Sequence, residues 1–225
     1  MTIRIIIADD HNIVREGFRL VLEAQKDFQV VGEARDGLEA IRLVEKIEPD
    51  VLVVDLMMPG VNGLEVARQL KGHTHIVVLS MHNNEAYVLE ALRNGVLGYV
   101  LKDASTKELV KAVRYAARGQ RYLSEPFTEK AIDVYLQLAD SGIVSPYEGL
   151  TNREHEVLHF VAQGYNNTKI GETLNISPRT VEVHRSNLMH KLGFRNQADL
   201  IRFALKKGIL PMEDDDSLKD NPPRK

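Results

Sequence analysis

Apolar runs alternate with amphipathic stretches along the first half of the chain. Most of these runs are short, continuous and rich in β-branched side chains, which is typical of strands in a parallel sheet that is covered on both faces. The runs that we predict as strands are Ile3–Ala8, Phe28–Ala34, Val51–Asp55, Ile76–Ser80 and Gly98–Lys102. Apolar residues at helical spacing follow each run, as at Val14, Phe18, Val21 and Leu22. Strands alternating with helices predict an α/β domain over residues 1–118, a doubly wound five-stranded parallel sheet with right-handed crossovers.

The pattern changes after residue 118. Residues 119–148 are predicted to be a linker that contains a short helix over Thr128–Leu138. From residue 149 to residue 211 the apolar repeats have helical spacing, which predicts a separate all-α domain. The last segment, residues 212–225, is charged and poor in apolar side chains, so we expect a disordered acidic tail.

A helix-turn-helix is predicted inside the all-α domain. Thr168–Leu174 forms its short first helix, and a longer helix follows the turn and runs to Gly193. Ser177 is a favoured N-cap for the longer helix, and Pro178 suits its first position. A short helix, a tight turn and a longer helix are typical of this motif.

Polar residues follow or end four of the predicted strands. Asp9 and Asp10 follow the first strand, while Asp55, Ser80 and Lys102 end three others. Because the carboxyl ends of parallel strands share one edge of a sheet, these side chains are expected to lie together. Ionised carboxylates so close to each other need a cation among them, and oxygen ligands favour Mg²⁺. A carboxylate beside such an ion can attack phosphorus and form an acyl phosphate, whose oxygens Lys102 would balance.

These residues stand in motifs that resemble the receiver domains of two-component response regulators, which have a flavodoxin-like fold. The motifs are Ile-Ile-Ala-Asp-Asp, Val-Asp-Leu-Met-Met-Pro-Gly-Val-Asn-Gly, Val-Leu-Ser-Met-His and Gly-Tyr-Val-Leu-Lys-Asp. The resemblance implies that Asp55 accepts a phosphoryl group from the phosphohistidine of a sensor histidine kinase. It implies Mg²⁺ ligands at Asp10, at Asp55 and at the backbone carbonyl of Met57. Asp9 would support the ion through water.

The resemblance also assigns residues that respond to the phosphate. Ser80 and Tyr99 match the family's switch pair, in which phosphate draws the hydroxyl inward and the aromatic ring follows. Gly63 helps to shape the loop after the acceptor. The neighbours of the acceptor control how water reaches the acyl phosphate, and Met57 and Met81 are bulky. We therefore expect a long-lived phosphorylated state.

The helical half resembles the LuxR-type helix-turn-helix. Its motifs are Leu-Thr-Asn-Arg-Glu-His-Glu-Val-Leu, Asn-Asn-Thr-Lys-Ile-Gly and Ile-Ser-Pro-Arg-Thr-Val-Glu-Val-His-Arg-Ser-Asn-Leu-Met-His-Lys-Leu-Gly. Together the two halves look like the NarL/FixJ subfamily of response regulators. Gly171 stands where alanine is commoner in the family, and we expect it to permit a close approach of the helices.

The long helix divides into two faces. Its apolar face is expected to pack in the core and carries Val181, His184, Leu188 and Leu192. The opposite face fits the major groove, and the residues predicted to contact DNA are Arg179, Thr180, Glu182, Val183, Arg185, Ser186, Asn187 and Lys191. Glu182 would accept a hydrogen bond from cytosine N4, and Val183 would contact a thymine methyl. Several family members have lysine where Glu182 stands, so their operator sequences cannot be carried over.

The composition limits the class of protein. The 225 residues, 44% of them hydrophobic, are enough to bury two cores. The chain contains no cysteine, which excludes disulfides and thiolate metal sites, and no apolar run is long enough to span a membrane. The formal net charge of −3 argues against a uniformly basic nucleic-acid binder. A cytoplasmic location without a membrane partner is expected.

The resemblances imply the partners: a sensor histidine kinase, double-stranded promoter DNA, RNA polymerase and, on phosphorylation, a second copy of the chain. In the family the last helix supports pairing on DNA, and here it carries Leu200, Ile201 and Ala204. Exposed apolar residues of the first and fifth helices are candidates for pairing the receivers. Before phosphorylation we expect the receiver to cover part of the recognition face, or the chain to stay a monomer.

Two other classes of protein share parts of this sequence pattern. An aspartate-nucleophile phosphatase of the haloacid-dehalogenase type has a general acid two residues after its nucleophile, and Met57 at that position cannot donate a proton. A phosphorylation-dependent adaptor that binds proteins but not DNA stays open, because Glu182 and the acidic tail repel phosphates. A gel shift with promoter DNA, with and without acetyl phosphate, separates the adaptor from the transcription factor.

Overall fold

A parallel sheet lies at the centre of the first domain. The structure, a computed structural model, describes residues 2–83, 85–125, 127, 146–207, 209 and 210. The strands in this part of the chain are β1 (Ile3–Ala8), β2 (Phe28–Ala34), β3 (Val51–Asp55), β4 (His75–Ser80), β5 (Gly98–Leu101) and β6 (Tyr122–Leu123). Their order across the sheet is β2-β1-β3-β4-β5-β6, and all neighbouring pairs are parallel.

Helices cover both faces of the sheet. Those of the described first domain are α1 (Asn12–Glu23), α2 (Gly37–Ile47), α3 (Gly63–Gln69), α4 (Glu85–Arg93) and α5 (Thr106–Ala116). On the face that α1 and α5 cover, Leu22 and Val113 share a cluster with Val53. On the other face, Leu64 of α3 shares a cluster with Val54. Successive residues of β3 are thus buried on opposite faces, which explains why the strand is apolar from Val51 to Val54.

The predicted strands are confirmed, with small differences at their ends. β4 begins at His75 rather than Ile76, and β5 ends at Leu101, so that Lys102 is the first residue beyond it. The sheet has a sixth strand, Tyr122–Leu123, inside the segment that we predicted as linker. It pairs with the first half of β5. A strand of two residues is too short to show a hydrophobic period, so the sequence pattern did not reveal it.

The second domain is helical wherever the structure describes it. It has a 3₁₀ helix (Pro146–Gly149), α6 (Asn152–Ala162), α7 (Asn167–Leu174), α8 (Pro178–Leu192) and α9 (Gln197–Lys206). The predicted linker helix over Thr128–Leu138 and the predicted tail over 212–225 lie outside the described residues. Among the helices that are described, none combines the length and the apolar character needed to cross a membrane.

Helix α6 contacts the first domain at α3 and at the loop before α3. The backbone N–H of Gly60 donates to Gln163 Oε1 at 2.8 Å, and Gln163 Nε2 donates to the Gly60 carbonyl at 2.9 Å. Arg68 Nη2 donates to Asn152 Oδ1 at 2.7 Å. Phe160 is buried so close to Gly60 that a Cβ there would lie 2.6 Å from its ring. Backbone, polar and apolar contacts therefore all join the domains.

A second contact joins the residues that follow α9 to α4. Lys207 Nζ donates to Glu90 Oε2 at 3.5 Å, and the Tyr87 hydroxyl donates to the Leu210 carbonyl at 3.5 Å. Both distances lie at the long limit for hydrogen bonds. This contact is therefore weaker than the one between α6 and α3.

Gly63 packs against the backbone at the end of β3. Its N–H donates to the Leu56 carbonyl at 2.9 Å, and a Cβ at Gly63 would lie 2.3 Å from the Asp55 carbonyl oxygen. We expect Gly63→Ala to lower the free energy of unfolding by about 1–3 kcal/mol, because the backbone must shift to admit the methyl group. Urea unfolding followed by circular dichroism measures the change.

Gly17 in α1 provides the matched control. Its Cβ position faces open space, so Gly17→Ala adds helix propensity without a clash and should raise the free energy of unfolding by about 0.5–1 kcal/mol. The explanation fails if the two substitutions change stability in the same direction.

Candidate functional site

The predicted polar pocket forms at the carboxyl edge of the sheet. Asp55 ends β3, Asp9 follows β1 and Lys102 follows β5. Lys102 Nζ lies 2.8 Å from Asp9 Oδ2 and 2.9 Å from Asp55 Oδ2, so one ammonium group bridges the two carboxylates. Ser80, at the end of β4, is fully buried. The parallel strands thus bring together Asp9, Asp55 and Lys102, as the sequence pattern predicted.

The pocket is desolvated, and its charges control each other. Burial raises the pKa of Asp55; the hydrogen bond and charge of Lys102 oppose this rise, and the charge of Asp9 adds to it. Burial would lower the pKa of Lys102, but its hydrogen bonds to Asp9 and Asp55 outweigh burial and raise it. Lys102 therefore stays charged, and Asp55 binds protons more readily than an exposed aspartate does.

The oxygen atoms of the pocket suit a hard divalent cation. Asp9, Asp10, His11 and Asp55 each place one ligand atom within 4.8 Å of the others. Asp10 Oδ1 is buried and accepts no hydrogen bond from the described residues, although His11 Nδ1 lies 2.9 Å away. Three carboxylates beside one lysine leave negative charge, which fits Mg²⁺. Sequence reasoning missed His11; its position directly after the two aspartates was the available signal.

The acidic residues of the pocket differ in their surroundings. The Asp9 side chain is fully buried and holds Lys102, while the Asp10 side chain is 25% exposed. The Met57 N–H donates to Asp55 Oδ1 at 3.3 Å, so the backbone after the acceptor folds back to its side chain. Asp10 is the more accessible of the two N-terminal aspartates.

Ser80 and Tyr99 are linked through the backbone of His82. The His82 N–H donates to Ser80 Oγ at 2.9 Å, and the Tyr99 hydroxyl donates to the His82 carbonyl at 3.0 Å. The Tyr99 ring is fully buried and meets Phe127 edge to face at 5.6 Å. Burial raises the pKa of Tyr99, so its hydroxyl stays protonated and can donate. The Tyr99 ring lies inside the domain, and His82 takes part through its backbone.

The two methionines near the acceptor lie in different surroundings. Met57 is half-buried, whereas Met81 is 71% exposed. Met81 therefore covers little of the pocket in this arrangement. The long lifetime of a phosphorylated state stays a prediction, and it depends more on Met57 than on Met81.

Helix α8 has the geometry expected of a recognition helix. Ser177 Oγ accepts from the Thr180 N–H at 3.0 Å, Pro178 occupies the first turn, and Gly193 ends the helix with a φ of 69°. Val181 and Leu188 are fully buried and anchor the helix. The residues that the structure leaves exposed are Arg179, Thr180, Glu182, Val183, Ser186, Asn187 and Lys191, while Arg185, His184 and Leu192 are half-buried.

Two of the predicted DNA contacts, Glu182 and Lys191, have partners on other segments of the domain. Glu182 accepts a hydrogen bond from Asn167 of α7. Lys191 Nζ donates to Glu154 Oε2 at 2.7 Å and to the Gly149 carbonyl at 3.3 Å. Lys191 would have to leave both partners to reach a phosphate. Its first role is therefore to tie α8 to the start of α6.

The turn of the helix-turn-helix depends on Gly171. Its carbonyl accepts from the Ile176 N–H at 2.9 Å, and a Cβ at Gly171 would lie 2.6 Å from the Ile176 carbonyl oxygen. The close approach that we predicted from the glycine is confirmed. A chain with alanine here must hold the turn slightly farther from α7.

Two expectations about assembly need correction. Leu200 and Ala204 of α9 are fully buried in the domain core, so they cannot pair two copies on DNA, and of the three apolar residues only Ile201 is exposed, at 37%. The receiver does not bury the recognition face of α8 either, since the first domain contacts α6 and the residues after α9 and leaves Val183 52% exposed. The other expectation, a monomer before phosphorylation, stays a prediction. The sequence pattern could not distinguish the helices that the receiver covers.

Comparisons with known proteins match both domains. The model of the response regulator receiver domain matches residues 5–114, and that of the bacterial regulatory proteins of the luxR family matches residues 148–204. The oxygen regulatory protein NreC of Staphylococcus aureus (strain JH9) is 38% identical over 214 residues, which cover 92% of this chain and 99% of NreC.

Solved structures give the same result. The two-component response regulator RcsB in complex with DNA is 30% identical, with a TM-score of 0.55, and the match covers 92% of this chain and 99% of RcsB. The receiver domain of NarL from Mycobacterium tuberculosis is 38% identical, with a TM-score of 0.51, and covers 53% of this chain and 98% of its own. The chain therefore belongs to the two-component response regulators that join a receiver domain to a LuxR-type DNA-binding domain.

Proposed function

We propose that this protein is a transcription factor that a sensor histidine kinase switches by phosphorylating Asp55. The observation that carries the proposal is the bridge of Lys102 between Asp9 and Asp55, at 2.8 and 2.9 Å, at the carboxyl edge of the sheet. It supports a site where an incoming phosphoryl group meets one nucleophilic carboxylate and one fixed cation. Phosphorylation of the protein and its effect on DNA binding test the proposal together.

The phosphotransfer needs few groups of the protein. An Asp55 carboxylate oxygen attacks the phosphorus, the P–N bond of the phosphohistidine breaks, and the electron pair returns to the imidazole. Mg²⁺, held by Asp10, Asp55 and the Met57 carbonyl with Asp9 behind them, would neutralise charge on the phosphoryl oxygens. Lys102 already contacts Asp55, so it can contact the same oxygens after a small movement. The desolvated pocket keeps bulk water from the acyl phosphate.

Phosphate would act on the rest of the molecule through Ser80. The Ser80 hydroxyl accepts a hydrogen bond from the His82 N–H, and the Tyr99 hydroxyl donates one to the His82 carbonyl. When Ser80 turns its hydroxyl toward a phosphoryl oxygen, the loop from Ser80 to His82 loses one of these bonds. This loop leads into α4, whose Glu90 contacts Lys207 of the second domain. The proposed route therefore runs from the pocket through α4 to the DNA-binding domain.

DNA binding would use α8, and dimerisation would use the receiver. Arg179 and Arg185 would contact phosphates, and Val183 would contact a base. We leave Lys191 out of the contact set because it is held within the domain. On the receiver, α1 and α5 expose Ile13 at 86%, Leu20 at 67% and Tyr115 at 42%. Apolar side chains exposed on adjacent helices favour a surface that a second copy covers.

Asp55→Asn should abolish phosphorylation by acetyl phosphate in the presence of Mg²⁺, because an amide oxygen is a poor nucleophile and the amide nitrogen cannot form the acyl phosphate. Intact-protein mass spectrometry measures the added phosphoryl group. Asp103→Asn changes an exposed aspartate directly after Lys102 and should leave the yield unchanged. Full phosphorylation of the Asp55 variant would exclude Asp55 as the acceptor.

Arg179→Gln should weaken DNA binding several-fold and reduce the slope of log K against log salt by about 1, because one phosphate contact is lost. Lys191→Gln is the matched comparison and should lower the thermal stability of the protein while leaving that slope unchanged. Fluorescence anisotropy with a selected DNA site at several salt concentrations measures both. The assignment of Lys191 is wrong if its variant shows the same loss of slope as Arg179→Gln.

Beryllofluoride with Mg²⁺ should convert the protein to a dimer, and Leu20→Glu should prevent this conversion because it buries a charge in the paired face. Lys46→Glu alters an exposed residue of α2 and should still dimerise. Sedimentation velocity measures the change. A Leu20 variant that dimerises normally would exclude the α1–α5 surface.

A further inference from the structure

A buried cluster of ionisable groups lies between the two domains, outside the phosphoacceptor pocket. His155 and His159 of α6 are 0% and 1% exposed. They face Glu65 of α3, whose side chain is also fully buried. His155 Nδ1 lies 3.4 Å and His159 Nε2 4.0 Å from Glu65 Oε2. The receiver and the DNA-binding domain therefore meet across two imidazoles and one carboxylate.

The carboxylate of Glu65 already has strong partners on its own helix. Arg68 donates to Glu65 Oε2 at 2.9 Å and to Oε1 at 2.7 Å, and Gln69 donates to Oε1 at 2.7 Å. The bidentate arginine pair neutralises the carboxylate. Little negative charge is left for a protonated imidazole, and the guanidinium of Arg68 repels one.

Both histidines have little that would stabilise a positive charge: the Tyr147 backbone favours the protonated form of His155, but burial outweighs it. Within the described residues, none of their four ring nitrogens has a hydrogen-bond partner. The remaining neighbours are Tyr147, whose ring meets that of His155 at 4.3 Å, and Glu156, which pairs with Arg153 at 2.6 Å. Farther out, Lys207 lies over the Tyr147 ring and pairs with Glu90. Burial first, and the charge of Arg68 second, lower the pKa of each histidine to about 3.

We propose that His155 and His159 form a proton-operated latch that holds the DNA-binding domain against the receiver while both imidazoles are neutral. Separation of the domains exposes the two rings to water, where protonation is easy, so protons pull the equilibrium toward the open form. The inference rests on the proposed function in one respect: opening is a step toward DNA binding. Acidification and phosphorylation then act in the same direction.

The direction follows from the two states of each histidine. In the open form the pKa returns toward its ordinary 6.5, whereas in the closed form it stays near 3. The closed form is therefore favoured above pH 6.5. It loses this advantage as the pH falls from 6.5 toward 3. At about pH 6 each histidine shifts the equilibrium toward opening about fourfold compared with pH 8, and the pair about fifteenfold.

Protonation of Glu65 has the opposite effect on the equilibrium between the open and closed forms. Burial raises its pKa despite Arg68, so a proton on Glu65 favours the closed form. Two imidazoles face this one carboxyl group, and both have ordinary pKa values above that of a glutamate. Net proton uptake therefore accompanies opening near pH 6.

The test measures the distance between the domains in the full-length, unphosphorylated protein. Because the natural chain has no cysteine, Glu45→Cys and Ala198→Cys provide two defined labelling sites on exposed residues of α2 and α9. Single-molecule energy transfer between dyes at these sites gives the ratio of open to closed molecules. We expect this ratio to rise between pH 8 and about pH 6, by at most about fifteenfold because Glu65 opposes the two histidines.

A pair of substitutions removes the titrating groups. His155→Gln with His159→Gln should abolish the pH dependence of the ratio, because glutamine does not titrate in this range. The control pair, His73→Gln with His75→Gln, removes two exposed histidines of the receiver and should leave the dependence intact. A ratio that does not change with pH in the natural sequence, or that changes equally in the His155 and His159 variant, overturns the latch.

Imidazole nitrogen resonances give a second measurement that needs no substitution at the interface. In the natural sequence, the two buried imidazoles should become protonated only together with the increase in open molecules. Titration of both near 6.5 without any change in the distance between the domains would overturn the proposal, because the closed form would then tolerate the charge. Neither sample contains kinase, phosphate or DNA, so a failure here leaves phosphorylation at Asp55 to be judged by its own experiment.

Discussion

Lys102 bridges Asp9 and Asp55 and thereby holds the carboxyl edge of the sheet together. It neutralises two like charges in a desolvated pocket and fixes the ends of β1, β3 and β5 relative to one another. The loop that leaves β3 at Asp55 reaches Gly60, where the second domain binds. The geometry of the pocket and the position of the DNA-binding domain therefore share one short segment of backbone.

Much of the fold and of the pocket could be predicted because their causes are local. Continuous β-branched runs have few alternatives to buried parallel strands, and parallel strands must place Asp9, Asp55 and Lys102 at one edge. The N-cap at Ser177 and the glycine at 193 likewise mark the recognition helix by backbone chemistry alone. These features depend on neighbours in sequence and on the rules of sheet topology.

The contact between the domains could not be predicted in the same way. The apolar pattern of α6 identifies Val157, Leu158 and Val161 as its core face, and histidines elsewhere on the helix look like exposed residues. The receiver buries these histidines. Their burial depends on how the two domains pack, which the hydrophobic periodicity of one helix does not show. The resemblance to the family implied Leu200 and Ala204 as pairing residues, and it does not show which side of the last helix faces the domain core. Their burial inside the domain is visible only once the helices are assembled.

The side-chain amide of Gln163 bonds only to the main chain of Gly60. It accepts one hydrogen bond from the Gly60 N–H and donates one to the Gly60 carbonyl. This contact does not involve the side chains of the loop. It requires a residue without a Cβ at position 60, because a Cβ there would clash with the Phe160 ring. Chimaeric regulators made by exchanging receivers can therefore keep this one contact wherever the incoming receiver has glycine at the equivalent place. This part of the joint depends on backbone shape, while the contact of Arg68 with Asn152 and that of Glu65 with the two histidines depend on side chains.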